Sequence, residues 1–472
     1  MILSAILAGV SKCLLLTLSP LDSRYHSVTS TLLSYFSEKA LAEARVFIEL
    51  SYLIFLSKQK IAPIILTKNI KKILEIVPLS QTDWENIKQI ESEIHHDVKA
   101  IEYFLQKKLM TLRVSELIPL IHFGLTSEDI NNLAYRKLIA QAQQEVIMPQ
   151  LKRILRKLSD LADKNIGEAM LARTHGQSAV PTTLGKELSV FAIRILDQLK
   201  AIEQVKLQGK LNGAVGSFQA LQFVLPQVNW ISLSKQFVKS LDLEYKLHTT
   251  QINPPDDLLE LFYKYHHLNS IILGLNQDLW RYISDDWLIQ NGKQRTVGSS
   301  TMPQKMNPIE FENSEGNLNI ANGLWEVFLR KLPISRLQRD LSDSTVMRNV
   351  GVAFAHSLIA YHSLEKGLDS ISAHHRQLTA DLLANWNILA EAMNVVGRLK
   401  GAKDSYEQAA KLFKGNQITA LRWREIALSI GDSGLAELSP QSYIGLTKKI
   451  TQRAVRSINN YLAKELPRAK LS

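Results

Sequence analysis

Apolar residues recur along this 472-residue chain at helical spacing, over runs too long for a small compact domain. Leu258, Leu261, Phe262, Tyr265, Leu268, Ile272, Leu275, Leu279 and Ile283 step by three or four. That spacing predicts one helix of roughly thirty residues, about 45 Å long. Pro254 and Pro255 precede it, and Asp256 and Asp257 suit the positive end of its dipole. A second helix is predicted from Leu184, Leu188, Phe191, Ile195, Leu199 and Ile202, opened by Pro181 and Thr182. Leu151, Ile154, Leu155, Leu158 and Leu161, after Pro149, predict a third, and Val346, Val350, Phe354, Leu358, Tyr361 and Leu364 a fourth. Strand alternation is scarce and no internal repeat is found. Helices this long cannot bury their faces in a small unit. The expectation is an all-α, elongated protein of three domains: an N-terminal helical domain (1–116), a central long-helix bundle (117–366) and a C-terminal helical domain (367–472). The central helices would be completed by other copies of the chain.

Composition narrows the classes. With 46% hydrophobic residues, general disorder is excluded. Cys13 is the single cysteine, so no intrachain disulfide forms and a reducing compartment, the cytoplasm, is expected. Lys and Arg number 56 against 45 Asp and Glu, a formal net charge of +11. They are scattered, with no basic block or aromatic platform, which favours a small anionic substrate or a solvated surface over nucleic acid. Residues 1–18 are apolar, but no positive charge precedes the run, Lys12 interrupts it and no small-x-small cleavage site follows. A non-cleaved N-terminal segment is expected rather than a signal peptide. No other uncharged run is long enough to span a bilayer, so no membrane partner is expected.

Against this helical background the stretch 298–308, GSSTMPQKMNP, stands out. Pro303 and Pro308 break either ladder, and a polar, Pro-broken loop between long helices is more often functional than accidental. Other clusters carry chemistry less exclusively. In THGQ (174–177), Gly176 and its polar neighbours put His175 on a turn, where an imidazole suits proton transfer near neutral pH; alone, a structural histidine is the better reading. His96 and Asp97 read equally as an exposed helix face, with His95 a surface spare. Thr126, Ser127, Glu128 and Asp129 read as a helix start, whose N–H groups and hydroxyls can also hold an anion. Arg336, Arg339 and Arg348, near Ser335, Ser344 and Thr345, could form a phosphate clamp or a solvated face. Arg24, Tyr25, Gln251, Glu312 and Asn313 are unremarkable by themselves.

Together these segments resemble the aspartase/fumarase superfamily, and its adenylosuccinate lyase branch most closely. The resemblance covers six segments in family order, from SPLDSRY at 19–25 through HDV at 96–98, LTSEDINN at 125–132, RTHGQ at 173–177 and the 298–308 loop to SRLQRDLSDSTVMRN at 335–349. It implies β-elimination of fumarate from the succinyl nucleotides adenylosuccinate and SAICAR. It makes Ser299 the general base and His175 the general acid. Glu312 would orient the imidazole, and Lys305 and Asn307 would stabilise developing charge. Substrate binding is assigned to Arg24, Tyr25, His96, Asp97, Thr126, Ser127, Gln251, Asn313, Arg339, Ser344, Thr345 and Arg348. No metal or cofactor is required, and active sites shared among subunits of a homotetramer are implied.

Several positions depart from the family pattern. Gln304 replaces the usual histidine, making MPQK closer to argininosuccinate lyase. Ser23 replaces glycine, Ser178 proline, and Asn253 and Pro255 the Glu and His of the segment after Gln251; the acidic residue usual before the loop is missing at Thr296-Val297. The rival expectations are an argininosuccinate lyase-like enzyme and a non-catalytic paralogue acting as a binding or structural protein.

Overall fold

The computed structural model describes residues 17–63, 65, 67–291 and 301–464. Cys13, most of the apolar N-terminal segment and residues 292–300, Ser299 among them, lie outside the described residues. The helices that position the candidate residues are α1 (Glu38–Lys58), α2 (Gln81–Ile94), α3 (Asp97–Thr111), α4 (Ser127–Ala142) and α5 (Met148–Lys164). Strands β1 (Ala169–Thr174) and β2 (Gln177–Thr183) follow, then α6 (Leu184–Gln204), α7 (Asp256–Ser284), α8 (Ile309–Lys331) and α9 (Val350–Asp369). The expected all-α class holds, with the described strands confined to three two-stranded sheets. Among the described residues no helix is long and apolar enough to cross a membrane.

Three predicted helices match closely. α7 runs 29 residues, with Asp256 and Asp257 in its first turn, and α6 and α5 enclose their predicted runs. The fourth run is broken. Val346 belongs to a short helix, Ser342–Met347, and α9 begins only at Val350. The turn between them, closed by Asn349 N–H on Val346 O at 3.0 Å, carries Arg348. Apolar spacing alone cannot register this two-residue break, because the four-residue step from Val346 to Val350 runs straight across it.

The chain forms two compact units of interleaved segments. Unit one takes residues up to Pro149, Ala201–His267 and Asn319–Ile359; unit two takes Gln150–Lys200, Leu268–Leu318 and Ala360 onward. In unit one, α1 is buried on both sides. Val46, Leu50 and Leu53 pack with Ile87 of α2 and Phe104 of α3, while Ile48, Tyr52 and Leu56 pack with Ile130 and Leu133 of α4 and with Phe237. A helix apolar all round belongs inside a core, so the two charges it buries, Arg45 and Glu49, need partners. Aromatic rings close the same unit: Phe262 stacks on Trp325 at 4.9 Å and Trp325 meets Phe354 edge-on at 5.0 Å. Each such buried ring contributes roughly 1.5–3 kcal/mol over exposure.

Unit two buries Leu151, Ile154 and Leu158 of α5, Leu188 and Ile195 of α6 and Leu275 and Leu279 of α7. Polar pairs sit among them: Asn276 Nδ2 donates to Ser314 Oγ at 2.8 Å, and Tyr361 Oη donates to Asn269 Oδ1 at 2.5 Å. The β1–β2 hairpin was not anticipated as strands, because a register irregularity between Leu171 and Arg173 breaks the apolar alternation. Its turn does follow from the sequence. Thr174 pairs with Gln177, leaving His175 (φ 53°) and Gly176 (φ 74°) as the two central residues. Positive φ at both is the geometry of the tight hairpin turn that matches strand twist.

Candidate active site

Unit one contains a cleft with a cavity volume of about 350 Å³, and the start of α4 forms one wall. Thr126 is the N-cap residue; its N–H donates to Asp129 Oδ2 at 2.9 Å. The helix presents Ser127, Glu128 and Asn131 to the cleft. Unpaired N–H groups and the dipole at such a helix start favour an anion. Asp129 faces inward, fully buried with Lys210 Nζ at 3.2 Å, and it also accepts the N–H groups of Asn212 (3.0 Å) and Gly213 (3.1 Å). Burial pushes the Lys210 ammonium below its usual range, although Asp129 opposes that. Two turns further, Arg136 donates from Nε and Nη2 to the two oxygens of Asp257, each at 2.8 Å and buried. Two buried ion pairs thus hold the α4 wall.

The facing wall is basic. Arg339 Nη1 donates to Gln251 Oε1 at 3.2 Å, and Gln251 Nε2 donates to Ala214 O at 3.0 Å. Arg348 Nη2 lies 3.9 Å from Asp97 Oδ2. Arg45, buried on α1, donates from Nη2 to Asp97 (2.7 Å) and from Nε to Asn131 (2.9 Å). Burial alone would raise the Asp97 carboxyl, but Arg45 and the Val98 N–H outweigh it and hold the group below the usual carboxylate range. His96 caps α3, its Nδ1 accepting from Lys99 N–H at 3.2 Å, which leaves Nε2 as the N–H donor of the neutral ring. Ser344 and Asp343 complete this side.

Of the sequence-predicted binding residues, His96, Asp97, Ser127, Arg339, Ser344 and Arg348 meet in this cleft, with Gln251 directly behind Arg339 and Thr126 capping its wall. Arg24, Tyr25 and Thr345 do not line it; Arg24 lies over the Tyr25 ring at 5.9 Å and Thr345 is exposed. His95, read as a surface spare, does line it. Sequence reasoning missed Arg45, Tyr135 and Arg136, and named Glu128 only as part of the helix start, with no role of its own. A signal existed for Arg45: it stands between Ala44 and Val46 on the helix's run of apolar residues, where a cation needs a partner.

The remaining candidates belong to unit two. His175 is exposed at the hairpin tip, and Gly176 beside it has nothing within 4 Å that a Cβ would meet, so the glycine serves its positive φ rather than close packing. Lys305 is exposed, and its N–H closes a turn on Met302 O at 3.1 Å. Gln290 Nε2 donates to Met306 O at 3.0 Å, beside the half-buried Asn307. Glu312, in the first turn of α8, accepts from Trp280 Nε1 at 3.1 Å. Asn313 points into the helix packing, donating to Ser363 Oγ at 2.7 Å.

The departures from the family pattern also have places. Asn253 is buried and donates to Gln208 O (2.7 Å) and Asn132 Oδ1 (3.2 Å) under the cleft. Pro255 borders the cleft just before α7. Ser178 pairs across the hairpin with Arg173, and Ser23 and Gln304 are exposed.

Comparison with known proteins fits this geometry. A family model described as lyase matches residues 24–322, and one described as adenylosuccinate lyase C-terminal matches residues 335–444. The adenylosuccinate lyase of Legionella pneumophila subsp. pneumophila is 42% identical over 445 residues, covering 92% of this chain and 98% of that protein. That of Buchnera aphidicola subsp. Baizongia pistaciae is 41% identical over 450 residues (93% and 97%), and that of Escherichia coli is 39% identical over 446 residues (91% and 97%). Among solved structures, a fumarate lyase from Mesorhizobium superposes with a TM-score of 0.74 at 16% identity, over 90% of this chain and 97% of that one. A 3-carboxy-cis,cis-muconate lactonizing enzyme from Pseudomonas putida gives 0.75 at 17%, over 92% and 98%. These structural likenesses establish the fold, and the sequence relatives go further: the chain belongs to the adenylosuccinate lyase family.

Proposed function

We propose that the protein is a carbon–nitrogen lyase of purine nucleotide biosynthesis that releases fumarate from adenylosuccinate, giving AMP, and from SAICAR, giving AICAR. The observation that carries this reading is the unit-one cleft. Arg339, Arg348 and Arg45 face a helix start bearing Thr126 and Ser127, which is chemistry for a small substrate rich in anionic oxygens. Guanidinium forks suit phosphate and carboxylate, and the hydroxyls and N–H groups of the α4 start add directional contacts.

The elimination needs a base for the proton beside a carboxylate and an acid for the departing nitrogen. Ser299 is assigned as the base and His175 as the acid, with Lys305 and Asn307 stabilising the negative charge that develops on the carboxylate. Serine abstracts such a proton only where its alkoxide is stabilised by nearby cations and shielded from water. Lys305, six residues away in the same loop, is the cation assigned to it. Glu312 is assigned to hold the His175 ring. Within the chain Glu312 accepts from Trp280 through Oε1, which leaves its second carboxylate oxygen to accept from the imidazole in the assembled site.

Shared sites in a homotetramer follow from the same reading. Exposed apolar side chains on the long helices support burial against further copies: Val190 on α6, Tyr263 and Trp280 on α7, Ile320 and Val327 on α8 are 38–58% exposed. The cytoplasm is the proposed compartment, and the three-domain division at 116 and 366 remains the proposed reading of the chain. Incubating the purified protein with adenylosuccinate, SAICAR and argininosuccinate while following fumarate tests the substrate. Turnover of argininosuccinate alone, or of none, overturns the assignment. Light scattering should give four times the chain mass of 53.3 kDa; a monomer would exclude shared sites.

A further inference from the structure

Glu128 is a carboxyl in the wall of a cleft built for anions. It sits in the first turn of α4, beside Ser127, with its side chain only 13% exposed. Its nearest cation is Arg339, whose Nη2 lies 3.7 Å from Oε2, too far for a hydrogen bond. Among the described residues no hydrogen bond reaches its carboxylate oxygens. Arg339 is meanwhile committed to Gln251. Asp97, in the same cleft, contrasts with it: its carboxylate is satisfied by Arg45 and a backbone N–H.

An anion entering beside Arg339 brings negative charge against Glu128. If Glu128 stays ionised, the two like charges repel and compete for one guanidinium. A protonated carboxyl does the opposite: it releases Arg339 and donates its own O–H to the anion. We propose that Glu128 is a specificity-determining residue that enters the ligand complex as a neutral carboxylic acid, donating a hydrogen bond to an anionic oxygen, so that anion binding is coupled to uptake of one proton. The proton comes from solvent and sits on a carboxylate oxygen of Glu128; no other bond forms or breaks.

The surroundings support this. Burial is the largest influence on Glu128 and raises its carboxyl to about 7; Asp343 reinforces it, while Arg339, Lys210 and Arg136 oppose it. His96 and Asp97 at the start of α3, Glu91 and His95 at the end of α2, Arg45 of α1, Tyr135 of α4 and Arg348 are the other titratable or charged groups lining the cleft. Their contributions cancel when wild type is compared with Glu128→Gln, which keeps the neutral shape and cannot ionise.

The choice of AMP as probe rests on the function proposed above; pyrophosphate is added as an anion independent of it. Dissociation constants of both would be measured by calorimetry from pH 6 to pH 8, in buffers of different ionisation enthalpy, with melting curves confirming that the variant is folded. If only the neutral form binds, wild type and Glu128→Gln bind AMP alike at pH 6, and the variant binds roughly tenfold more tightly at pH 8, the factor set by the neutral fraction of a group titrating near 7. Wild type then takes up nearly one more proton per AMP at pH 8 than the variant. A wild-type-to-variant ratio that does not change with pH overturns the inference while leaving the nucleotide reading intact. Pyrophosphate reproducing the ratio when AMP fails to bind upholds Glu128 and overturns the nucleotide reading. Binding of neither overturns both.

Discussion

The two units handle their polar residues differently. In unit one, charges of the cleft and its frame are fixed by partners distant in sequence: Arg45 by Asp97 and Asn131, Arg339 by Gln251, and the α4 wall by Asp129–Lys210 and Arg136–Asp257. In unit two the candidates for chemistry sit at a hairpin tip, in a turn and on an exposed helix start. The contrast separates two tasks. Binding a polyanion is served by charges held in place before it arrives, because reorganising them on binding costs affinity. Proton transfer groups must reach the substrate and exclude water only when it is present, so they are expected to gain their final partners on binding and assembly.

Kinetics can break this division. His175→Ala and Ser299→Ala should each lower kcat by roughly 10²–10⁴-fold, the usual scale for removing a positioned acid or base, with much smaller changes in KM. A Ser299→Ala enzyme with near-full kcat would remove that residue from the chemistry. Lys210→Met should act on the fold instead. Asp129 would be left buried without its cation, costing about 3–5 kcal/mol, read as a lower denaturation midpoint in urea. An unchanged midpoint would mean that the backbone N–H groups on Asp129 suffice.

Arg339→Ala should raise KM by roughly 10–100-fold, the scale of a lost charge-assisted hydrogen bond of about 1.5–3 kcal/mol, and alter kcat less. A fall in kcat with KM untouched would move Arg339 from binding to chemistry and erase the distinction between the units. The smallest effect concerns the frame behind the cleft. His122 Nδ1 pairs with Glu49 at 2.6 Å; burial disfavours the charged ring, yet Glu49 outweighs it and the His122 pKa lies above its ordinary value. A raised histidine stabilises the fold fully below about pH 6.5 and loses that contribution as pH rises through its folded value. Melting temperature should therefore decline for this reason as pH rises above 6.5, and His122→Asn should flatten that part of the profile.

Legibility in the sequence tracked how local the information was. Helix α7 was readable to within two residues at its start, because proline, first-turn carboxylates and a sustained apolar face all agree. The His175 turn was readable from glycine and polar neighbours, although the strands flanking it were not. The break between Met347 and Val350 was invisible, since the helical step from Val346 to Val350 spans it. His95 was set aside as a surface residue, and only the end of α2 beside the start of α3 brings it to the cleft.

The sequence by itself determined the helical class, the long helices, the turn bearing His175 and, through resemblance, the family; each is read from short local patterns, taken singly or in series along the chain. Only the tertiary structure decided which charges face one another. Arg45 meeting Asp97, Arg136 meeting Asp257 and Glu128 lying beside Arg339 without a hydrogen bond all join segments 52 to 211 positions apart. Burial and partner distance, which set the strength and protonation of such groups, are properties of packing that no local pattern encodes.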